Sequence, residues 1–186
     1  MRTVALTFAV VLSLALATSA QAVTLVNPDG TSAQPFQAWA DAARVPTADG
    51  VVTVNLANGT CGHTFGCTAR NGRNIWIDPD HCAASAKQCR STMLHEAGHL
   101  FDFQMPEWKR QTFRKIIRLW DDAPWWDARP GFRVQAGEIF ADVYRTCALG
   151  HWRVTETEID RGDAPTLHIR AKQNRRVCRL IRQPNS

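Results

Sequence analysis

Met93-Leu94-His95-Glu96-Ala97-Gly98-His99-Leu100-Phe101-Asp102-Phe103 is the stretch on which the reading of this chain turns. From about residue 85 to 103 there is no proline, and apolar side chains recur with a helical period. At 3.6 residues per turn, His99 falls about 40° and Glu96 about 100° from His95, so the three polar side chains share one arc. Met93, Ala97, Leu100 and Phe101 gather on the opposite side. The segment is expected to be a helix that buries one face in a core and presents two imidazoles and a carboxylate on the other.

Upstream, Pro35 followed by Phe36, Ala38, Trp39, Ala42 and Ala43 predicts an amphipathic helix that ends near Pro46. Residues 51–56 and 74–78, rich in β-branched and aromatic side chains and bounded by Gly, Asn, Asp and Pro, predict two short strands on either side of a loop holding Cys61 and Cys67. Downstream, Pro106 opens a helix to about residue 120, and an ordered loop occupies residues 121–132. A fourth helix over about 134–149 stops at Gly150, and a last one covers about 167–182. The plan is α+β: a small sheet or hairpin packed on several helices, among them the His95 helix and a helix bearing Glu138.

Arg2, a run of apolar and small residues from Val4 to Ala17, and the Ala20-Gln21-Ala22 pattern read as a secretory signal peptide over residues 1–22. The run is shorter than the about 20 residues of a membrane span, and no later segment is apolar enough to be one. Residues 23–186 are then a single domain of a secreted protein, extracellular or periplasmic, with no membrane span after cleavage. All six cysteines follow the leader, which suggests three disulfides. Short loops favour Cys61 with Cys67 and Cys82 with Cys89, leaving Cys147 with Cys178, and without a Cys-x-x-Cys pair a cysteine-ligated zinc is disfavoured.

Lys and Arg number 22 against 17 Asp and Glu. The densest basic cluster, from Arg170 to Arg182, interleaves its charges with Val177, Leu180 and Ile181 at a spacing that suits a solvated helix face. It lacks the aromatics that stack on bases, so no nucleic-acid partner is expected.

Zinc suits imidazole nitrogen, and a catalytic zinc takes three protein ligands and keeps one position for water. His95 and His99 supply two. Glu96 is placed to act as general base on that water, whereas a structural zinc closed by a fourth ligand has no use for a free carboxylate. Asp102 lies on the same face but about 10 Å along the axis from His95, out of reach of one tetrahedral ion. On the fourth helix Glu138 and Asp142 stand about 40° apart among Ile139, Phe140, Ala141 and Val143, so Glu138 is the expected third ligand and Asp142 the acceptor for the distal N–H of a liganding histidine.

Gly98 would let that helix come close, and Cys147, about 180° from Glu138, would send its bridge off the back. Of the donors available to a developing oxyanion, Tyr144 faces the core, His81, His168 and Arg145 have no clear claim, and His151 just past the helix end is the candidate. His63 is expected at the surface.

These residues resemble the gluzincin metallopeptidases, whose pattern is His-Glu-x-x-His followed downstream by Glu-x-x-x-Asp, here His95-Glu96-Ala97-Gly98-His99 and Glu138-Ile139-Phe140-Ala141-Asp142. Residues 94–102 and 137–147 are also similar to small secreted bacterial proteins classed as zinc metallopeptidases. The resemblance covers the middle of the chain and implies a zincin-like fold, Zn2+ as cofactor, and a monomeric hydrolase that cleaves a peptide or protein substrate by a zinc-activated water with Glu96 as general base. The interval from His99 to Glu138 is longer than in the best-known members. With no Gly at 102 and no His at 105, the metzincin pattern is absent.

Zincins bind an extended peptide along a sheet edge, for which residues 74–78 are the candidate, and Trp125 and Trp126 either wall that cleft or pack beneath it. Two other readings stand beside the peptidase: a non-catalytic zinc-binding secreted protein on the same scaffold, and a zinc amidase acting on cell-wall crosslinks.

Overall fold

A computed structural model describes residues 23–62, 64–119, 123–126, 135–151, 156–159 and 167–185. The leader, His63, the side chain of His168 and much of the 121–132 loop lie outside them. Alternation of apolar residues builds a four-stranded sheet from β1 (Thr24–Val26), β2 (Val51–Leu56), β3 (Gly66–Thr68) and β4 (Asn74–Ile77). Leu25, Val52, Val54, Ile75 and Ile77 point to its buried face.

The strand order is β1-β2-β4-β3, with β1, β2 and β4 parallel and β3 antiparallel to β4. The expected edge, β4, is therefore interior, and the three-residue β3 takes the edge. The cause is a tight turn: Gly72 N–H bonds Ala69 O at 2.9 Å and Ala69 N–H bonds Asn74 O at 2.9 Å, which folds β3 back onto β4. Gly72 occupies the left-handed region at φ 68°, open to glycine at little cost.

Among the described residues there are six helices, five of them on the expected plan with shorter ends: α1 (Phe36–Asp41), α2 (Pro79–Ala84), α3 (Ala86–Phe103), α4 (Glu107–Ile117), α5 (Ala136–Ala148) and α6 (Ala171–Ile181). Short α2 was not foreseen; it is capped by Asp78, whose Oδ1 accepts from Asp80 and His81 N–H. Ser85 ends α2 and caps α3 through Gln88 N–H. α4 stops at Ile117, short of the expected end, because Arg118 turns left-handed at φ 63°. The last helix is also corrected: Leu167–Arg170 form a strand, β6, paired antiparallel with β5 (Glu156–Ile159), so cross-strand pairing overrides the local helical period there.

α3 lies between the sheet and α5. A Cβ on Gly98 would sit 2.8 Å from Ala141 Cα and 3.1 Å from Tyr144 Cβ, so glycine is what permits this approach. Phe101, Phe113, Phe140 and Tyr144 fill the space between α3, α4 and α5, and Tyr144 O–H donates to Pro46 O at 2.9 Å. All three expected disulfides are present, Cys61–Cys67, Cys82–Cys89 and Cys147–Cys178. The last leaves the back of α5 to fasten α6 and, with a sequence separation of 31, contributes about 3 to 4 kcal/mol by restricting the unfolded chain. On α6, Lys172, Arg175, Arg176 and Arg179 are exposed while Val177, Leu180 and Ile181 are buried, as a solvated basic face requires. Among the described residues no helix is long and apolar enough to cross a membrane.

Candidate metal centre

Two helices and one strand edge enclose a cleft of about 520 Å3. The one-turn spacing on α3 brings His95 and His99 to its floor, and the same spacing on α5 sets Glu138 and Asp142 opposite. Glu138 Oε2 lies 3.3 Å from His95 Nε2 and 3.5 Å from His99 Nε2, and one donor atom from each of the three residues falls within 4.8 Å of the others. Two ligand atoms bound at about 2.0 to 2.1 Å to one tetrahedral ion stand about 3.4 Å apart, so the observed spacing fits the edges of a small ion's coordination shell. The donors fit as well: two imidazole nitrogens and a carboxylate oxygen can hold a metal ion together.

His95 Nδ1 lies 3.0 Å from Asp142 Oδ1, which is also 3.0 Å from Arg145 Nη2. A carboxylate only accepts, so Nδ1 carries a proton and Nε2 is turned toward Glu138. Burial pulls the His95 imidazole down, but its hydrogen bonds to Asp142 and Glu138 and the charge of Glu96 hold it up at about 10. With no ion bound it therefore keeps both protons between two carboxylates. Burial also works against ionisation of Glu138, and the imidazoles of His95 and His99 reverse that, holding this carboxylate well below its usual range. His99 Nδ1 is buried with no hydrogen bond among the described residues.

Glu96 is 4 % exposed and lines the same cleft, but it does not belong to the cluster of three. Burial pushes its carboxyl up, an effect that His95 and His99 oppose. Its Oε2 accepts from Thr68 Oγ1 at 2.8 Å. Beneath it Gly66 is a necessity: a Cβ there would lie 3.1 Å from Glu96 Oε1 and 2.7 Å from Thr92 Cγ2. Thr68 and Gly66, both on β3, escaped the sequence reading. Three residues hold too little periodicity to announce a strand, and the adjacent Cys67 was the only local signal.

Asp102 is fully buried and committed elsewhere, accepting from Trp125 Nε1 at 2.6 Å and Arg110 Nε at 3.2 Å; burial raises its carboxyl to about 6 despite both partners. It is not part of the cluster, in line with its distance along the helix. The two tryptophans divide. Trp125 packs against Phe113 and Phe140, whereas Trp126 stacks on Phe103, lines the cleft and stands 5.4 Å from the His99 ring.

The assignment of His151 is corrected. It is exposed beyond the C-terminus of α5 in a separate depression, about 20 Å along the helix direction from Glu138 at 1.5 Å per residue. Arg145 lines the cleft, while His81 stands behind its wall, stacked on Phe65 and 3.1 Å from Thr92 Oγ1, both of which line it. Compared with protein-family models, curated proteins and solved structures, the chain finds no match.

Proposed function

We propose that the chain is a secreted zinc metallopeptidase on a zincin-like scaffold, with His95, His99 and Glu138 holding Zn2+ and Glu96 as general base. The observation that carries this reading is the separate carboxylate: Glu96 is buried in the cleft, hydrogen-bonded by Thr68, and outside the group of three donors. A purely structural metal site has no use for such a group. A mixed set of two imidazoles and one carboxylate suits zinc, which when bound there supplies a Lewis acid and lowers the pKa of water to about 7.

The protein's own part is positioning and proton transfer. Glu96, raised by burial, takes a proton from the attacking water and delivers it to the leaving amine, while the Thr68 hydroxyl fixes which oxygen is free to do so. Asp142 orients the His95 ring through Nδ1. The substrate backbone lies along β3 and not β4. Phe65 O accepts from Asp78 N–H and Ala69 N–H bonds Asn74 O, so alternation turns the main-chain groups of Gly66 and Thr68 away from β4; Gly66 O accepts from Thr64 Oγ1 at 2.9 Å, and an extended peptide adds as a further strand through the other groups. The three disulfides are compatible with an extracellular site of action.

Glu96→Gln tests the reading. Zinc content and folding stay near those of the parent, and hydrolysis of a mixed peptide library falls at least about a hundredfold, to the level that a chelator imposes on the parent. Retained hydrolysis overturns the mechanism. Cleavage of cell-wall crosslinks with none of library peptides keeps the chemistry and changes the substrate.

A further inference from the structure

Beyond Arg145 the cleft wall continues into a second depression, of about 740 Å3, lined by Lys87 and Arg90 of α3, by Arg145 and His151 at the end of α5, and by Trp39 and Leu149. Arg145 belongs to both concavities, so they share a wall. Among the described residues no carboxylate lines this depression, and Lys87 and Arg90 have no acidic partner. Arg90, which lines it, has its Nε buried without a hydrogen bond among those residues. Arg145 alone is paired, and Asp142 occupies only one side of its fork. A concave surface with several cationic donors, an indole and an aliphatic rim, and no neutralising acid among the described residues, is suited to a carboxylate carried on an apolar stem.

Helix geometry sets its distance from the metal cluster. Arg145 lies two turns beyond Glu138 on α5, about 10 Å, and Lys87 lies about 12 Å before His95 on α3; both offsets run toward the same end of the antiparallel pair. An extended peptide advances about 3.3 Å per residue, so this depression is about three residues from the bond positioned at the metal cluster.

We propose that the depression is a substrate subsite for a carboxylate about three residues from the scissile bond, making the chain selective for peptides that bear an acidic side chain or a free C-terminus at that distance. The proposal rests on the peptidase reading for its register, but its test does not depend on turnover.

Binding is measured by titration calorimetry on the zinc-loaded Glu96→Gln protein with four peptides of one neutral sequence. Two differ by Glu against Gln three residues from the central bond, and two differ by a free against an amidated C-terminus. The expected result is at least about tenfold tighter binding of the Glu peptide or of the free acid, the arm that responds naming the source of the carboxylate. That preference shrinks in about 0.5 M salt and falls to within about twofold in a Lys87→Ala, Arg90→Ala double variant of unchanged zinc content. Equal binding within both pairs, no binding by any peptide, or a preference that survives the double variant overturns the subsite. A carboxylate preference in a protein whose parent hydrolyses none of the four would sink the peptidase reading and leave the subsite standing; hydrolysis of all four without preference does the reverse.

Discussion

The two walls of the cleft are built on different principles. On one side, α3 and α5 meet across Gly98 and carry His95, His99, Glu138 and Asp142 at one-turn spacings, each helix closing its own backbone hydrogen bonds. On the other, β3 is three residues long, sits at the edge of the sheet, and reaches the site by the bond from Thr68 to Glu96. The helical wall is locally specified and its burial is graded, His99 being buried, His95 and Asp142 partly buried and Glu138 half exposed. The strand wall is thin and owes its place to a hairpin turn and to the bridge between Cys61 and Cys67. On the proposed reading the difference implies a division of labour: the helical wall sets how tightly a metal is held, and the strand wall sets how the base is aimed.

The sharpest way to break this division is at the metal itself. Glu138→Ala loses its zinc to a weak chelator as fully as His99→Ala does, a larger effect than that of any neighbour, and a Glu138→Ala protein with full zinc after dialysis would refute the third ligand. Asp142→Asn keeps shape and an acceptor oxygen but removes the charge that orients His95, so zinc affinity falls about 10 to 100-fold.

The same pair gives a pH dependence. With His95 raised to about 10, binding an ion displaces one proton from Nε2 throughout the neutral range, so affinity rises about tenfold per pH unit between pH 7 and 9, readable with a competing chelator. Folding of the metal-free chain runs the other way: the stability from protonated His95 is fully present below its ordinary value of 6.5 and is lost as pH rises through about 10. The smallest effect belongs to the strand wall. Thr68→Val leaves zinc affinity unchanged and lowers hydrolysis by about five to tenfold, the net worth of about 1 kcal/mol of one part-buried hydrogen bond. If it weakens zinc as Asp142→Asn does, the walls are not separable.

The helical wall was legible in the sequence and the strand wall was not. His95, His99, Glu138 and Asp142 each belong to a helical repeat, and Gly98 stands where that repeat must let another helix in, so angles alone brought them together. Thr68 reaches Glu96 only after β3 has folded back on β4, a pairing written in a turn and not in any period. The same blindness made β4 an edge and put the first residues of α6 into a helix they do not form. His151 lies outside the cleft for a different reason: the length of α5 separates it from Glu138. Asp102 is the converse, excluded by that length and then found bound to Trp125 and Arg110.

One detail at the start of α5 bears on how such a chain tolerates change. Ala136 N–H bonds Pro124 O at 3.1 Å and Gly137 N–H bonds Trp125 O at 2.9 Å, while Trp125 is itself pinned to α3 through Asp102. Residues 124–125 and the first residues of α5 are thus tied into a neck one residue before Glu138. These two hydrogen bonds hold the start of α5 independently of the length of chain before it. Each doubling of an excursion's length costs only about 0.6 kcal/mol in closure entropy, so a long interval between His99 and Glu138 need not disturb the cluster. The neck is a natural insertion point, a position where sequence can be gained, lost or grafted without retuning the metal.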